Sequence, residues 1–174
     1  MAMISRVTVR KPAWQTVVML TLLFWLSASL IVDTVVMPVL YTSGMMAESG
    51  FAIAGHSLFW VFNRVELVCA ALVLTGILNL RYTLGNGTRP THQAVFLASL
   101  LLVVALAFTY GLAPQMSGLG LQLNLFNPVS EPPALMNSLH AGYWLLETLK
   151  LLAGIVLLKE CWNSLNLNLL GIGD

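Results

Sequence analysis

Charged side chains are scarce in this sequence. Lys, Arg, Asp and Glu make up 9% of its 174 residues, where an ordinary soluble domain carries about 25%. Too little polar surface remains to coat a water-soluble globule, which excludes that class. The basic residues are scattered and the net charge is only +1. No basic face forms, so nucleic acid is excluded as a partner. Cysteine is almost absent. Cys69 and Cys161 belong to no C-x-x-C pair and should fall at different depths. They read as small buried hydrophobes rather than a disulfide framework. No nucleophile–base constellation or cofactor motif is present, which weighs against an enzyme.

What the chain has instead is apolar length: 58% of it is hydrophobic. A hydrocarbon core of ~30 Å takes about 20 helical residues to cross. Four runs qualify, at about residues 14–36, 57–80, 93–113 and 139–158. Open strands would leave backbone groups unpaired in lipid, so the spans are expected to be helices. The period-2 alternation of a membrane barrel is missing. The expected fold is therefore all-α: a single domain, 1–174, forming an integral membrane bundle of four transmembrane helices. The basic start and the small residues Ser27-Ala28-Ser29 mimic a signal peptide, but the apolar run continues to Val36. An uncleaved first span is expected.

Basic residues set the orientation. Arg6, Arg10 and Lys11 precede the first span, Arg81 and Arg89 separate the second from the third, and Lys159 follows the fourth. The stretches at about 37–56 and 114–138 contain no Lys or Arg, only Glu48 and Glu131. The positive-inside rule then puts both termini in the cytoplasm, in a plasma or inner membrane, or a thylakoid in a photosynthetic source. RYTLGNGTRP, with its Gly, Asn and Pro, reads as a turn. NPVSEPP reads as an extended lead into the fourth span, and GLGLQLNLF as a segment lying on the membrane surface.

The two halves echo one another. The first span closes on LIVDTVVMP and the third on LAFTYGLAP, so Pro38 answers Pro114. His56 and His140 each open an even-numbered span, and ten positions later stand Glu66 and Lys150. Two helical hairpins of like orientation, repeated in the chain, fit this pattern.

Ten helical residues climb about 15 Å, half the hydrocarbon thickness. Glu66 and Lys150 should therefore sit near the midplane at matching depth. Arg64 and Glu147 should lie slightly nearer the outside. Each ionised group costs roughly 2.5–3.5 kcal/mol at a helix centre, so four unpaired would cost on the order of 10 kcal/mol, comparable to a whole domain's stability. They are expected to face inward and compensate one another, or to face water. His140, Tyr143, Glu147 and Lys150 share one helical face; His56, Asn63 and Glu66 roughly share another. The expected pairs are Glu66 with Lys150, and Arg64 with Glu147 or, by snorkelling, with Asp33. A proton or ion path, the floor of a binding cavity, and a device that merely fixes helix register all remain open.

Soft ligands gather toward the outer end: Met37, Met45, Met46, Met116 and Met136, with His56 and His140 at the same level. Thioether plus imidazole favours Cu(I), so His56, His140, Met37, Met116 and Met136 form a candidate copper site. Haem between the two histidines is a second option. Methionine is equally an adaptable gap-filler, and a histidine at a membrane boundary an interfacial residue. His92 is read as interfacial. Trp14, Trp60, Trp144 and Trp162 sit where an aromatic belt would place them; Trp25 lies mid-span and should face packing or lipid.

PVLY at Pro38–Tyr41, AGHSLF at Ala54–Phe59 and NSLHAGYWLLETLKLLAGIVLL at Asn137–Leu158 resemble the transmembrane-protein-205-like family. That family comprises four-span proteins of unknown function, distantly similar to CopD-type copper-resistance membrane proteins. The resemblance implies the fold and a membrane location, with copper by analogy only. This chain departs from the family pattern at Tyr143 and Glu147. Three functions follow as expectations: handling of copper or a proton through the charged network, an accessory or scaffold role in a larger membrane complex or homo-oligomer, and a haem-linked redox role.

Overall fold

The computed structural model describes residues 13–44, 50–83, 90–126 and 134–170. Arg6, Arg10, Lys11, Met45, Met46, Glu48, Arg89, Glu131 and the NPVSEPP stretch lie outside the described residues. Six α-helices occur: α1 Ala13–Ile31, α2 Met37–Thr42, α3 Phe51–Thr83, α4 His92–Leu106, α5 Ala113–Phe126 and α6 Ala134–Leu170. The described residues contain no strand. A π-helical turn, Val32–Val36, joins α1 to α2, and a second, Ala107–Leu112, joins α4 to α5. The result is four helical rods, Trp14–Thr42, Ile53–Thr83, His92–Leu119 and Leu135–Ser164, each long and apolar enough to cross a membrane. The protein is an integral membrane four-helix bundle.

Neither proline ends its rod, contrary to the expectation that the odd spans stop there. The cause is local. Proline has no N–H, and its ring clashes with the carbonyl four residues back. Just before each proline the helix widens: the Met37 N–H donates to the Val32 carbonyl, and the Ala113 N–H to the Phe108 carbonyl. This one-turn π geometry makes room for the ring without breaking the rod. The third rod accordingly continues as α5, and the backbone of GLGLQLNLF is helical rather than a separate surface segment. The first rod ends at Gly44, whose φ of +73° is a left-handed conformation open to glycine at little cost. At the opposite end Thr91 caps α4 by accepting from the Ala94 N–H at 3.0 Å, as an N-cap threonine should.

Consecutive rods run antiparallel. Trp25 meets Glu66 while Val18 meets Gly76. Asn63 meets Thr109 while Arg81 meets His92. Phe108 meets Tyr143 while Thr91 meets Glu160. The first and fourth rods close the ring through Gln15–Cys161 and Asp33–Tyr143. The second and fourth rods, diagonal neighbours, run parallel.

Lipid is as apolar as leucine, so helices in a membrane associate by close packing and internal hydrogen bonds rather than by hydrophobic exclusion. The core reflects this. Ala70, Ala94, Ala98, Ala105 and Ala153 are buried around Trp25, Leu22, Ile77, Leu101 and Leu157. Leu20, Phe24, Val68, Phe96, Val103, Leu145 and Leu152 face outward. Cys69 and Cys161 are buried and unbridged.

Candidate functional site

The buried face of α1 follows helical spacing through Val18, Leu22, Trp25, Ser29 and, in the π turn, Asp33. Its outer half is polar. On α3 the buried polar residues are Asn63 and Glu66; on α6 they are Glu147 and Lys150. Three carboxyl groups and one ammonium thus lie within the bundle, without a buried arginine among the described residues.

Glu66 and Lys150 meet. The Lys150 ammonium donates to Glu66 Oε1 at 2.5 Å, with the two side chains 1% and 2% exposed. The same carboxylate oxygen accepts from Trp25 Nε1 at 2.9 Å and from Ser29 Oγ at 3.1 Å. Lys150 also lies 2.7 Å from Glu147 Oε2, one turn earlier on α6. That contact is ionic rather than a directed hydrogen bond: neither oxygen of Glu147 has a hydrogen-bond partner, although the residue is only 2% exposed. Phe108, held inward by the second π turn, places its ring 5.3 Å from the Lys150 nitrogen.

Four residues before Glu147, Tyr143 donates to Asp33 Oδ1 at 2.6 Å. Its ring is boxed by Phe59, Phe108 and Trp144. Asp33 is buried because it sits in the first π turn. Thr109, in the second, donates to the carbonyls of Ala105 and Asn63. Both π turns therefore deliver polar groups to this level of the bundle, in keeping with the frequency of such turns at functional sites. Beside them a cavity of about 90 Å³ runs between α3 and the third rod, lined by His56, Asn63, Thr109 and Ser117 among others. At ≈ 30 Å³ of liquid volume per molecule it is large enough for a few waters.

Arg64 does not join the network. Its guanidinium stacks 3.5 Å from the centre of the Trp60 ring and donates to the Trp60 carbonyl at 3.2 Å, on the exposed face of α3. The reason is helical geometry. Two positions from Glu66 the side chain points away from the core, and snorkelling one turn along its own helix is shorter than crossing the bundle. The pairing of Arg64 with Glu147 or Asp33 expected from the sequence is thus replaced by Tyr143 for Asp33 and Lys150 for Glu147.

His140 shares the Tyr143 face only nominally. It is exposed, and its Nδ1 lies 2.9 Å from the Met136 carbonyl of its own helix. His56 Nδ1 lies 2.9 Å from Ser117 Oγ. Met37, Met116 and Met136 are half-buried. Among the described residues no three His, Cys, Asp or Glu side chains are grouped to hold a metal ion. His92 has a partner after all, Arg81, 3.1 Å away.

Trp25 and Ser29 are the functional residues that sequence reasoning missed. A signal existed: Trp25, Ser29 and Asp33 recur every four residues, a polar stripe on an otherwise apolar span. These features define a multi-pass membrane bundle with a sealed, acid-rich polar cluster. Comparison with protein-family models, curated proteins and solved structures finds no match for this chain.

Proposed function

We propose that this protein binds a proton at the Glu66–Lys150–Glu147 cluster and passes it toward the end of the bundle that carries His56. The supporting observation is Glu147: a sealed carboxyl without a hydrogen-bond partner, beside an ammonium already bonded to another carboxylate. Two carboxylates sharing one ammonium leave an uncompensated charge in a low-dielectric interior, which is costly. A proton on Glu147 removes it. Lys150 fills the place between the carboxylates where a metal would sit, so the exchangeable species is a proton rather than a metal. The copper reading has weaker support, because His56 bonds Ser117 of the third rod and His140 the Met136 carbonyl of its own helix, and no contact among the described residues brings the two histidines together. Asp33 with Tyr143, and the small cavity along Asn63 and Thr109, supply polar groups between the cluster and the bundle end, as proton relays in membranes require. Descent from the transmembrane-protein-205-like fold is compatible with this reading and assigns no activity.

Infrared difference spectra of the purified protein in nanodiscs, recorded on changing pH, test the binding. The carbonyl stretch of a protonated carboxyl should appear in the wild type and be missing in Glu147→Gln. Liposomes carrying the wild type should dissipate an imposed pH gradient faster than liposomes carrying Glu147→Gln. Identical spectra in the two proteins would refute the proposal; identical gradients would refute the passage.

A further inference from the structure

A charged side chain on the outer face of a transmembrane helix is anomalous. Ionisable residues within spans almost always face the bundle interior or water, and in this protein Asp33, Glu66, Glu147 and Lys150 do. Arg64 does not: it is exposed, and no carboxylate among the described residues pairs with it. It also lies deep. Glu66, next but one in the chain, stands at the middle of α3. The guanidinium stacks on Trp60, which is six residues from Glu66, or about 9 Å at 1.5 Å per residue. The headgroups begin ~15 Å from the midplane, so snorkelling leaves this cation in hydrocarbon. The small cavity beside it has no carboxylate in its lining, and of the five guanidinium donors one serves the Trp60 carbonyl.

The face beside Arg64 has the pattern of a helix contact. Leu58, Val61, Val65, Val68 and Leu72 are all exposed and follow one another at spacings of 3, 4, 3 and 4. That is the a/d repeat of a coiled-coil seam, with stiff β-branched knobs at its centre. In this register Arg64 takes a g position, the flank from which interhelical salt bridges are made. From Val61 onward the seam forms one wall of a groove of about 580 Å³, and Leu20 and Phe24 of α1 stand on the other. The groove follows α3 from Trp60 to Leu72, about 18 Å, and is centred on the level of Glu66. It therefore crosses the midplane, as a docked transmembrane helix does.

From this geometry we infer a docking site for a transmembrane helix of another membrane protein, one that carries an Asp or Glu near its own midpoint. That helix lays an apolar seam along α3 in the α1/α3 groove, and its carboxylate accepts charge-assisted hydrogen bonds from Arg64. Charge complementarity at this depth selects the occupant. A lipid phosphate stays at the headgroups, beyond the reach of a guanidinium stacked on Trp60. A second copy of this chain offers no exposed carboxylate at the depth of Arg64 among the described residues: Asp33, Glu66 and Glu147 are buried, and Glu160 lies at the end of the bundle marked by Thr91. The inference is independent of the proton reading.

Fluorescence energy transfer in phosphatidylcholine vesicles, between the dye-labelled full chain and a synthetic transmembrane peptide, tests it. The peptide carries a valine–leucine seam of the same spacing flanked by one Glu at its midpoint; a matched peptide carries Gln there. The wild type should bind the Glu peptide about ten-fold more tightly than the Gln peptide, or by about 1.4 kcal/mol. Arg64→Gln, on an exposed face and so neutral for folding, should bind the two alike, and Arg64→Glu should favour a Lys peptide instead. Val65→Trp, which fills the groove and leaves the cation in place, should weaken binding of the Glu peptide. Equal binding of the two peptides by the wild type, a Glu preference that survives in Arg64→Gln, or undiminished binding by Val65→Trp would overturn the inference. So would a preference that phosphatidylglycerol abolishes, energy transfer between two copies of the chain that Arg64→Gln abolishes, or a preference that emerges only after Glu48→Gln and Glu131→Gln, which would assign Arg64 to lipid, to a second copy or to this chain's own outer segments.

Discussion

Lys150 is 1% exposed, and its nitrogen is the only buried cation among the described residues. Removing it leaves Glu66 and Glu147 facing each other in a dry interior. Loss of one partner of a buried ion pair typically costs 3–5 kcal/mol. Lys150→Met should therefore lower the unfolding midpoint in detergent strongly; a midpoint equal to the wild type would mean the cluster is already neutral without it. Exchanging the two residues, Glu66→Lys with Lys150→Glu, restores the charges but not the surroundings. Trp25 and Ser29 donate toward position 66, and an ammonium there accepts nothing. The exchanged protein should fall between the wild type and Lys150→Met. The site was partly legible at this scale. Equal depth was enough to set Glu66 against Lys150, because ten helical residues reach the midplane in both spans. Trp25 was not legible as a donor, since an indole in an apolar run reads as bulk until its partner across the bundle is known. Arg64 was misjudged because its nearest acceptor lay on its own helix, where sequence reasoning looked only across the bundle.

At the scale of the helix, two glycines set how closely the first rod approaches its neighbours. A Cβ at Gly76 would collide with Val18 Cγ2, and one at Gly154 would stand 2.7 Å from Leu26 Cδ2. Val18 is β-branched, fully buried and with few rotamers to retreat into, whereas Leu26, also buried, meets the added carbon with the far end of a more flexible side chain. Overpacking a well-filled core costs typically 1–3 kcal/mol. Gly76→Ala should therefore destabilise by about 1–3 kcal/mol in reversible unfolding from micelles, and Gly154→Ala by clearly less. The reverse order would show that the α1–α6 contact, rather than α1–α3, limits the packing. Element types were readable from apolar length alone. Element ends were not, because a proline reads as a stop and the π turn that carries a rod past it leaves no compositional trace. The correspondence between the halves extends to these turns. Each odd rod has its π turn directly before the proline, and the even rods align Phe59 with Tyr143 and Glu66 with Lys150 at the same offset, as two repeated hairpins would.

For the molecule as a whole, the direction in which the bundle stands decides from which side its cluster is reached. Arg81 and Lys159 lie at one end of the described bundle. The opposite end, with Pro38, His56 and Pro114, has no Lys or Arg beyond Arg64, which lies eleven residues into its rod. Translocation retains basic ends in the cytoplasm, so the His56 end is expected outside. Its proton would then come from the external side. Cys69 and Cys161 are buried, which leaves little background for thiol labelling. Ser43 and Thr83 are exposed at opposite ends. A membrane-impermeant maleimide should label Ser43→Cys on intact cells and Thr83→Cys only after permeabilisation. The opposite result would turn the bundle over, reversing the side from which a proton reaches Glu147.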